Sequence, residues 1–260
     1  MLYVSTPPTK SPPVIVFVHG GAWRLGHPQV TNPIYRRLDF IGKFLGAGFA
    51  VAKISYRLSA EAHFPAQLHD CKAAIRFLRN HAQAFGFDQN RVAAFGDSAG
   101  GHLAALVGLT GNRSDLEGEV GERGSSAVQA VVDWFGPTDL LTMSGQAIPG
   151  GMHAQDAADS PESELVGGPL QQNKEAARAA SPLTYVGPGA PPFHIQRGAL
   201  DRLVPIRQSE TFHAALVKAG VDSTLVRIEG ADHCFWGAPL DGIVERDITF
   251  LKTRLGGQPR

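Results

Sequence analysis

Residues Gly96-Asp97-Ser98-Ala99-Gly100 limit what this chain can fold into more than any other segment. Before them runs Arg91-Val92-Ala93-Ala94-Phe95, a short apolar stretch suited to a buried strand. After them runs His102-Leu103-Ala104-Ala105-Leu106-Val107, small and apolar, suited to a helix packed closely under a sheet. A G-x-S-x-G pentapeptide between strand and helix is a nucleophile elbow. A side chain at either glycine would collide with the neighbouring strand or helix, and the strained turn pushes the serine hydroxyl outward. The start of the helix offers backbone N–H groups to a developing anion. With 30 glycines in 260 residues the pentapeptide alone decides little, and its setting carries the weight.

That setting extends along the chain. Val14-Ile15-Val16-Phe17-Val18 reads as a strand buried on both faces of a parallel sheet, and 48–56 as the next. A helix is expected within 31–46, and a stronger one over 65–85. There Leu68, Cys71, Ile75, Leu78, Ala82 and Phe85 recur at helical spacing, while Lys72, Arg76, Arg79 and Gln83 are expected to face outward. The elbow helix follows over 99–109. Residues 111–126 read as an exposed loop, 128–135 as a strand, and 140–185 as an irregular insertion with a short helix at 173–180. A strand at 193–196, a helix at 209–219, a strand at 223–228 and a closing helix at 243–255 complete the pattern. Strands alternating with helices imply an α/β fold: a mostly parallel sheet covered on both faces, in one domain spanning 1–260.

Composition excludes several classes of function. Lysine plus arginine equal aspartate plus glutamate, 24 against 24, without a basic block, which argues against nucleic acid or an anionic membrane as partner. No run approaches about 18 consecutive apolar residues, so no membrane span is expected. Residues 1–10 lack the basic and apolar regions of a secretory signal, which points to the cytoplasm, with secretion after signal removal left open. Cys71 and Cys234 fit no metal or redox spacing, and Cys71 falls on the apolar stripe of a helix as a core residue. With no H-E-x-x-H, C-x-x-C, Walker lysine or G-x-G-x-x-G, no metal or other cofactor is expected.

A serine hydroxyl needs a base to take its proton and a carboxylate to hold that base in the right tautomer. In an open parallel sheet both should follow later strands, in the order serine, acid, histidine. Asp201 follows the 193–196 strand and His233 follows the last strand, so Ser98, Asp201 and His233 are the expected catalytic residues. Asp156, Asp159 and Glu162 compete for the acid position but precede that strand. His69, His81 and His213 fall on helices and His27, His63 and His153 in loops, while Asp232 is expected to shape the turn before His233. Directly after the first strong strand comes His19-Gly20-Gly21-Ala22-Trp23. Its small residues let backbone approach the substrate, so the N–H groups of Gly21 and Ala22, with that of Ala99, are the expected oxyanion hole. His19 is expected to brace this loop. Trp23, Trp134 and Phe135 are the candidates for the substrate pocket.

Together these blocks resemble the α/β-hydrolase superfamily, and within it the small carboxylesterases of the acetyl-xylan/feruloyl esterase-like group, relatives of the hormone-sensitive-lipase family. Tyr56-Arg57-Leu58-Ser59, Phe64-Pro65-Ala66-Gln67, Ser181-Pro182-Leu183 and Gly198-Ala199-Leu200-Asp201 carry the likeness through most of the chain. It implies a serine esterase acting on a small-molecule ester, with short acyl groups, acetyl or feruloyl among them, passing through an acyl-enzyme. With 13 residues before the first core strand, where such relatives usually carry another strand or two, it also implies either a sheet shortened at the N-terminal edge or an incomplete chain start, and an open site partly covered by the 140–185 insertion. Two alternatives stay open at this point. The H-G-G-x-W form is similar to that of arylformamidases acting on N-formylkynurenine. Some relatives of the fold are non-catalytic ligand receptors, although they lose triad members that this chain keeps. A homodimer is also left open.

Overall fold

The protein is described by a computed structural model over residues 1–3, 11–30, 32–151 and 154–256. Most of the N-terminal stretch, Thr31 of the first expected helical segment, and the loop histidine His153 lie outside the described residues.

Seven strands form one sheet: β1 (Leu2–Tyr3), β2 (Val14–Val18), β3 (Ala50–Ile54), β4 (Val92–Asp97), β5 (Ala130–Trp134), β6 (Phe193–Gly198) and β7 (Ser223–Ile228). Their order across the sheet is β1-β3-β2-β4-β5-β6-β7, with every neighbouring pair parallel except β1 and β3. The two-residue β1 adds an antiparallel edge outside the expected strands, since two residues show no periodicity.

Side-chain alternation explains why the central strands are apolar throughout. Val14, Val16 and Val18 of β2 enter one hydrophobic cluster, while Ile15 and Phe17 enter the other. A strand covered on both faces has no polar side. The first cluster is covered by α3 (Ala66–Asn80), α5 (Ala99–Thr110) and α9 (Ile206–Lys218), which contribute Leu68, Leu103 and Phe212. The second is covered by α1 (Pro33–Leu38), α2 (Phe40–Gly46) and α10 (Ile243–Leu255), through Leu38, Phe44 and Leu251.

Several helical segments differ from expectation. The first breaks at Asp39, which takes a left-handed φ of 45° between α1 and α2. The long one breaks at His81, leaving α4 (Ala82–Phe85) as a separate turn. The insertion holds α6 (Met143–Gln146) and α7 (Pro161–Val166) in addition to the expected short helix, α8 (Lys174–Ala179). Ser160 caps α7 by accepting the N–H of Ser163, and proline starts it.

Two cations on α3 correct the sequence reading. Lys72 and Arg76 are buried rather than outward-facing, because residues 111–126 fold back over the helix. Lys72 Nζ donates to the Thr110 carbonyl and to Glu117, and Arg76 donates to Glu117 and to the carbonyls of Val120 and Glu122. Cys71 lies buried in the core, where desolvation raises its thiol pKa far above the usual range. Among the described residues no helix is long and apolar enough to cross a membrane.

Candidate active site

The elbow is held by backbone contacts. Ser98 has φ 53° and ψ −120°, a conformation L-residues rarely adopt, and such strain costs about 1–3 kcal/mol. Its N–H donates to the Trp134 carbonyl at 2.8 Å, and its own carbonyl accepts the His102 N–H at 3.0 Å. A Cβ at Gly96 would run into the Gly100 carbonyl, and one at Gly100 into the Val18 carbonyl. Only glycine lets β4 and α5 approach this closely.

The turns after β6 and β7 bring two partners to Ser98. His233 Nε2 lies 3.1 Å from Ser98 Oγ, and His233 Nδ1 lies 2.8 Å from Asp201 Oδ2. A carboxylate only accepts, so Nδ1 carries the proton and Nε2 is free to accept from the serine hydroxyl. The other oxygen of Asp201 accepts the N–H groups of Leu203 (3.0 Å) and Val204 (2.8 Å). Asp201 is 1% exposed, so its carboxylate depends on these bonds rather than on water. The histidine is set by its own turn: Asp232 Oδ1 accepts the N–H groups of His233 and Arg202, and Cys234 and Phe235 follow with left-handed φ of 56° and 64°.

The loop after β2 faces this line. Gly21, Ala22 and Trp23 all have positive φ, of 120°, 54° and 56°. The N–H groups of Gly21 and Ala22 donate to no protein acceptor among the described residues, and that of Ala99, in the first turn of α5, has no intrahelical partner. Gly21 and Ala22 line the same cavity as Ser98 and His233. His19 braces the loop, with Nδ1 donating to the Gly20 carbonyl at 2.8 Å and the ring stacked on Tyr56. Burial lowers its pKa, which keeps the ring neutral.

The proposed pocket aromatics lie elsewhere. Trp23, Trp134 and Phe135 are 2%, 0% and 0% exposed and line none of the cavity. Trp23 turns inward and donates Nε1–H to His102 Nδ1 (3.2 Å), and His102 donates from Nε2 to the Ala180 carbonyl (2.6 Å). Burial holds His102 down to a pKa of about 4, so the ring stays neutral and accepts from the indole. Trp134 donates to the buried Asp247, and Phe135 packs edge-on against the His233 ring at 4.7 Å. Of the three, Phe135 is the one that packs against the His233 ring. The cavity, of about 420 Å³, opens instead under the loop after β2, between Phe17, Leu25, Val30, Phe40 and Leu203.

Asp97, beside the serine, is a residue whose part the motif alone does not reveal. Its Oδ1 accepts the Gly20 N–H (2.9 Å) and its Oδ2 accepts the Tyr35 hydroxyl (2.8 Å), so one carboxylate joins the elbow to the opposite loop. Burial raises its pKa, opposed by these two hydrogen bonds. Asp156, Asp159 and Glu162, the competing acids, remain in the insertion, which is tied to the site loop by an Arg24–Glu164 ion pair. No group of three or more histidine, cysteine or acidic side chains suited to a metal occurs among the described residues.

A mostly parallel sheet with an elbow serine on a central strand, and acid and histidine on turns after later strands, defines an α/β-hydrolase. The chain belongs to the BD-FAE family, whose model matches residues 2–216. It is 31% identical over 229 residues to a protein named Esterase LipC from Mycobacterium tuberculosis, covering 88% of this chain and 54% of that one. Its fold is similar to a truncated form of a carbohydrate esterase from gut microbiota (TM-score 0.84, 30% identity, 98% of this chain and 90% of that one). It is similar also to a bifunctional GH43-CE protein of Bacteroides eggerthii (TM-score 0.83, 33% identity, 97% of this chain and 35% of that one). The chain spans about half the length of the curated relatives it matches.

Proposed function

We propose that this protein is a serine carboxylesterase that cleaves short acyl esters, acetyl and feruloyl or other aryl esters among them, through an acyl-enzyme. The observation that carries the reading is the unbroken hydrogen-bonded line from Ser98 Oγ through His233 to Asp201, ending at a strained serine beside unspent N–H groups. In the proposed mechanism Ser98 attacks the ester carbonyl while His233 Nε2 takes its proton. Asp201 stabilises the imidazolium, and the N–H groups of Gly21, Ala22 and Ala99 receive the oxyanion. His233 then protonates the departing alcohol, and water activated by the same nitrogen releases the acid. A cavity of about 420 Å³ with a mainly apolar surface has room for an acyl group larger than acetyl, which supports keeping aryl esters in the range. The likeness to a carbohydrate esterase supports sugar hydroxyls as the alcohol component. We read the described elements as one hydrolase domain with 140–185 as a cap-like excursion.

The test is hydrolysis of p-nitrophenyl acetate, butyrate, octanoate and palmitate, and of methyl ferulate, beside N-formylkynurenine, by wild type and Ser98→Ala. Ester turnover that falls off with chain length and vanishes in the variant is the expected result. Efficient formamide cleavage with poor ester turnover would move the protein to the arylformamidases. Binding without serine-dependent turnover would make it a receptor.

A further inference from the structure

Arg197 is a fully buried cation on β6, four residues before Asp201, and none of the reaction steps above uses it. Its guanidinium is hydrogen-bonded to carbonyls, not carboxylates. Nη1 donates to the carbonyls of Val204 (2.6 Å) and Pro205 (2.9 Å), and Nη2 to that of Gly136 (2.6 Å). These carbonyls belong to two turns. One follows Asp201, and its Leu203 and Val204 N–H groups hold the carboxylate from behind. The other ends β5, where Phe135, at a left-handed φ of 48°, backs the His233 ring. The charged groups facing Arg197 are Asp201, Asp133 on β5 and Glu210 on α9. Among the described residues Asp133 Oδ2 and Arg197 Nε both lack a hydrogen-bond partner, so the guanidinium is oriented toward the turns and not toward Asp133.

Burying a cation is unfavourable, and an apolar side chain of similar volume is often tolerated or better for stability. The planar fork of arginine, by contrast, holds carbonyls on two separate turns at fixed angles from two separate nitrogens, whereas a lysine ammonium reaches all its acceptors from a single atom. We infer that Arg197 is a positioning residue that sets the distance between Asp201 and His233 by clamping the two turns that carry and back them. This rests on the reading of Asp201 and His233 as acid and base of an ester-cleaving triad. Arg197 lines none of the substrate cavity, so its effect should fall on the chemical step and leave substrate binding alone.

The experiment compares wild type, Arg197→Lys, Arg197→Gln, Asp201→Asn and the Arg197/Asp201 double variants on p-nitrophenyl acetate across the pH range, with melting temperature recorded for each. Arg197→Lys keeps the charge and loses the fork. Its kcat should fall about tenfold to a hundredfold, the penalty of a misaligned catalytic group, with KM near the wild-type value. The acid limb of its kcat profile should move to lower pH, because a less well aligned Asp201 stabilises the imidazolium less. In the Asp201→Asn background either Arg197 substitution should cost less than about twofold more, since its effect acts through that carboxylate. An unchanged kcat and pH profile in Arg197→Lys would overturn the inference, as would a loss that multiplies in full on Asp201→Asn. If Arg197→Lys does not fold, the same cycle is read on Arg197→Gln. Full activity in Asp201→Asn alone would instead overturn the triad reading.

Discussion

Asp97 is adjacent to Ser98 in sequence, yet its hydrogen bonds reach the loop on the other side of the cavity, which makes Asp97→Ala a sensitive probe of the site. The substitution strips the acceptor from two donors, the Gly20 N–H at 2.9 Å and the Tyr35 hydroxyl at 2.8 Å. A buried donor left without a partner costs about 1–3 kcal/mol, and part of this is offset because a desolvated carboxylate also disappears. The stability loss should therefore be about 2–4 kcal/mol. The effect on rate comes from Gly20, which anchors the segment presenting the Gly21 and Ala22 N–H groups. Loss of one oxyanion donor costs about 3–4 kcal/mol of barrier, so kcat should fall roughly 10²- to 10³-fold. Asp97→Asn keeps an acceptor for Gly20 and presents its amide to the Tyr35 oxygen, so it should stay within about tenfold of wild type. The assay is p-nitrophenyl acetate hydrolysis with urea unfolding on the same preparations. A folded Asp97→Ala protein within about threefold of wild-type kcat would refute the account of how the loop is held.

Other consequences follow from buried groups. Trp23→Phe removes the indole donor to His102 and leaves a cavity in the core, and should cost about 2–4 kcal/mol in urea unfolding while leaving KM unchanged, since Trp23 does not line the substrate cavity. Lys72→Met leaves the Thr110 carbonyl without the ammonium and Glu117 with Arg76 and Ser126 only, and should destabilise by roughly 1–3 kcal/mol with kcat/KM unchanged; lost activity in a folded protein would contradict that separation. His194, like His102, is held by burial to a pKa of about 4 against 6.5 for the free side chain. The native state keeps such a histidine neutral while the unfolded chain protonates, so its support for the fold is complete above pH 6.5 and is lost as pH falls toward 4. That is about 3 kcal/mol per group, and His194→Leu should show a smaller drop in unfolding free energy than wild type between about pH 7.5 and 4.5.

The elbow and its flanks were legible because three independent constraints coincide there: a doubly buried strand, glycines at close approach, and an apolar helix. The positions of Asp201 and His233 followed from the rule that sites lie beyond the carboxyl ends of parallel strands. Helical periodicity, by contrast, marks which face of α3 meets the sheet and says nothing of a loop folding over the other face, so periodicity alone leaves Lys72 and Arg76 on the solvent side. Trp134 and Phe135 sit at the right end of β5 to touch a substrate. Strand alternation instead puts Trp134 on the inner face with Ala130 and Val132, and Phe135 turns inward at a left-handed φ that no local pattern announces. Asp97 and Arg197 act across gaps of 77 and 61 residues, on Gly20 and Gly136, and contacts of that range leave no periodic trace. The signal that could have found Arg197 is chemical: a charged residue inside a strand that must be buried on both faces.

The central claim is that Ser98 carries the acyl group. It is tested most directly by incubating the protein with p-nitrophenyl acetate, quenching in acid within the first turnover, and mapping the adduct by peptide mass spectrometry. The account requires an acetyl adduct on the peptide containing Ser98, formed with a burst of p-nitrophenol and absent from Ser98→Ala. Turnover with no adduct on that peptide, or an adduct on Cys234 that persists in Ser98→Ala, would contradict it.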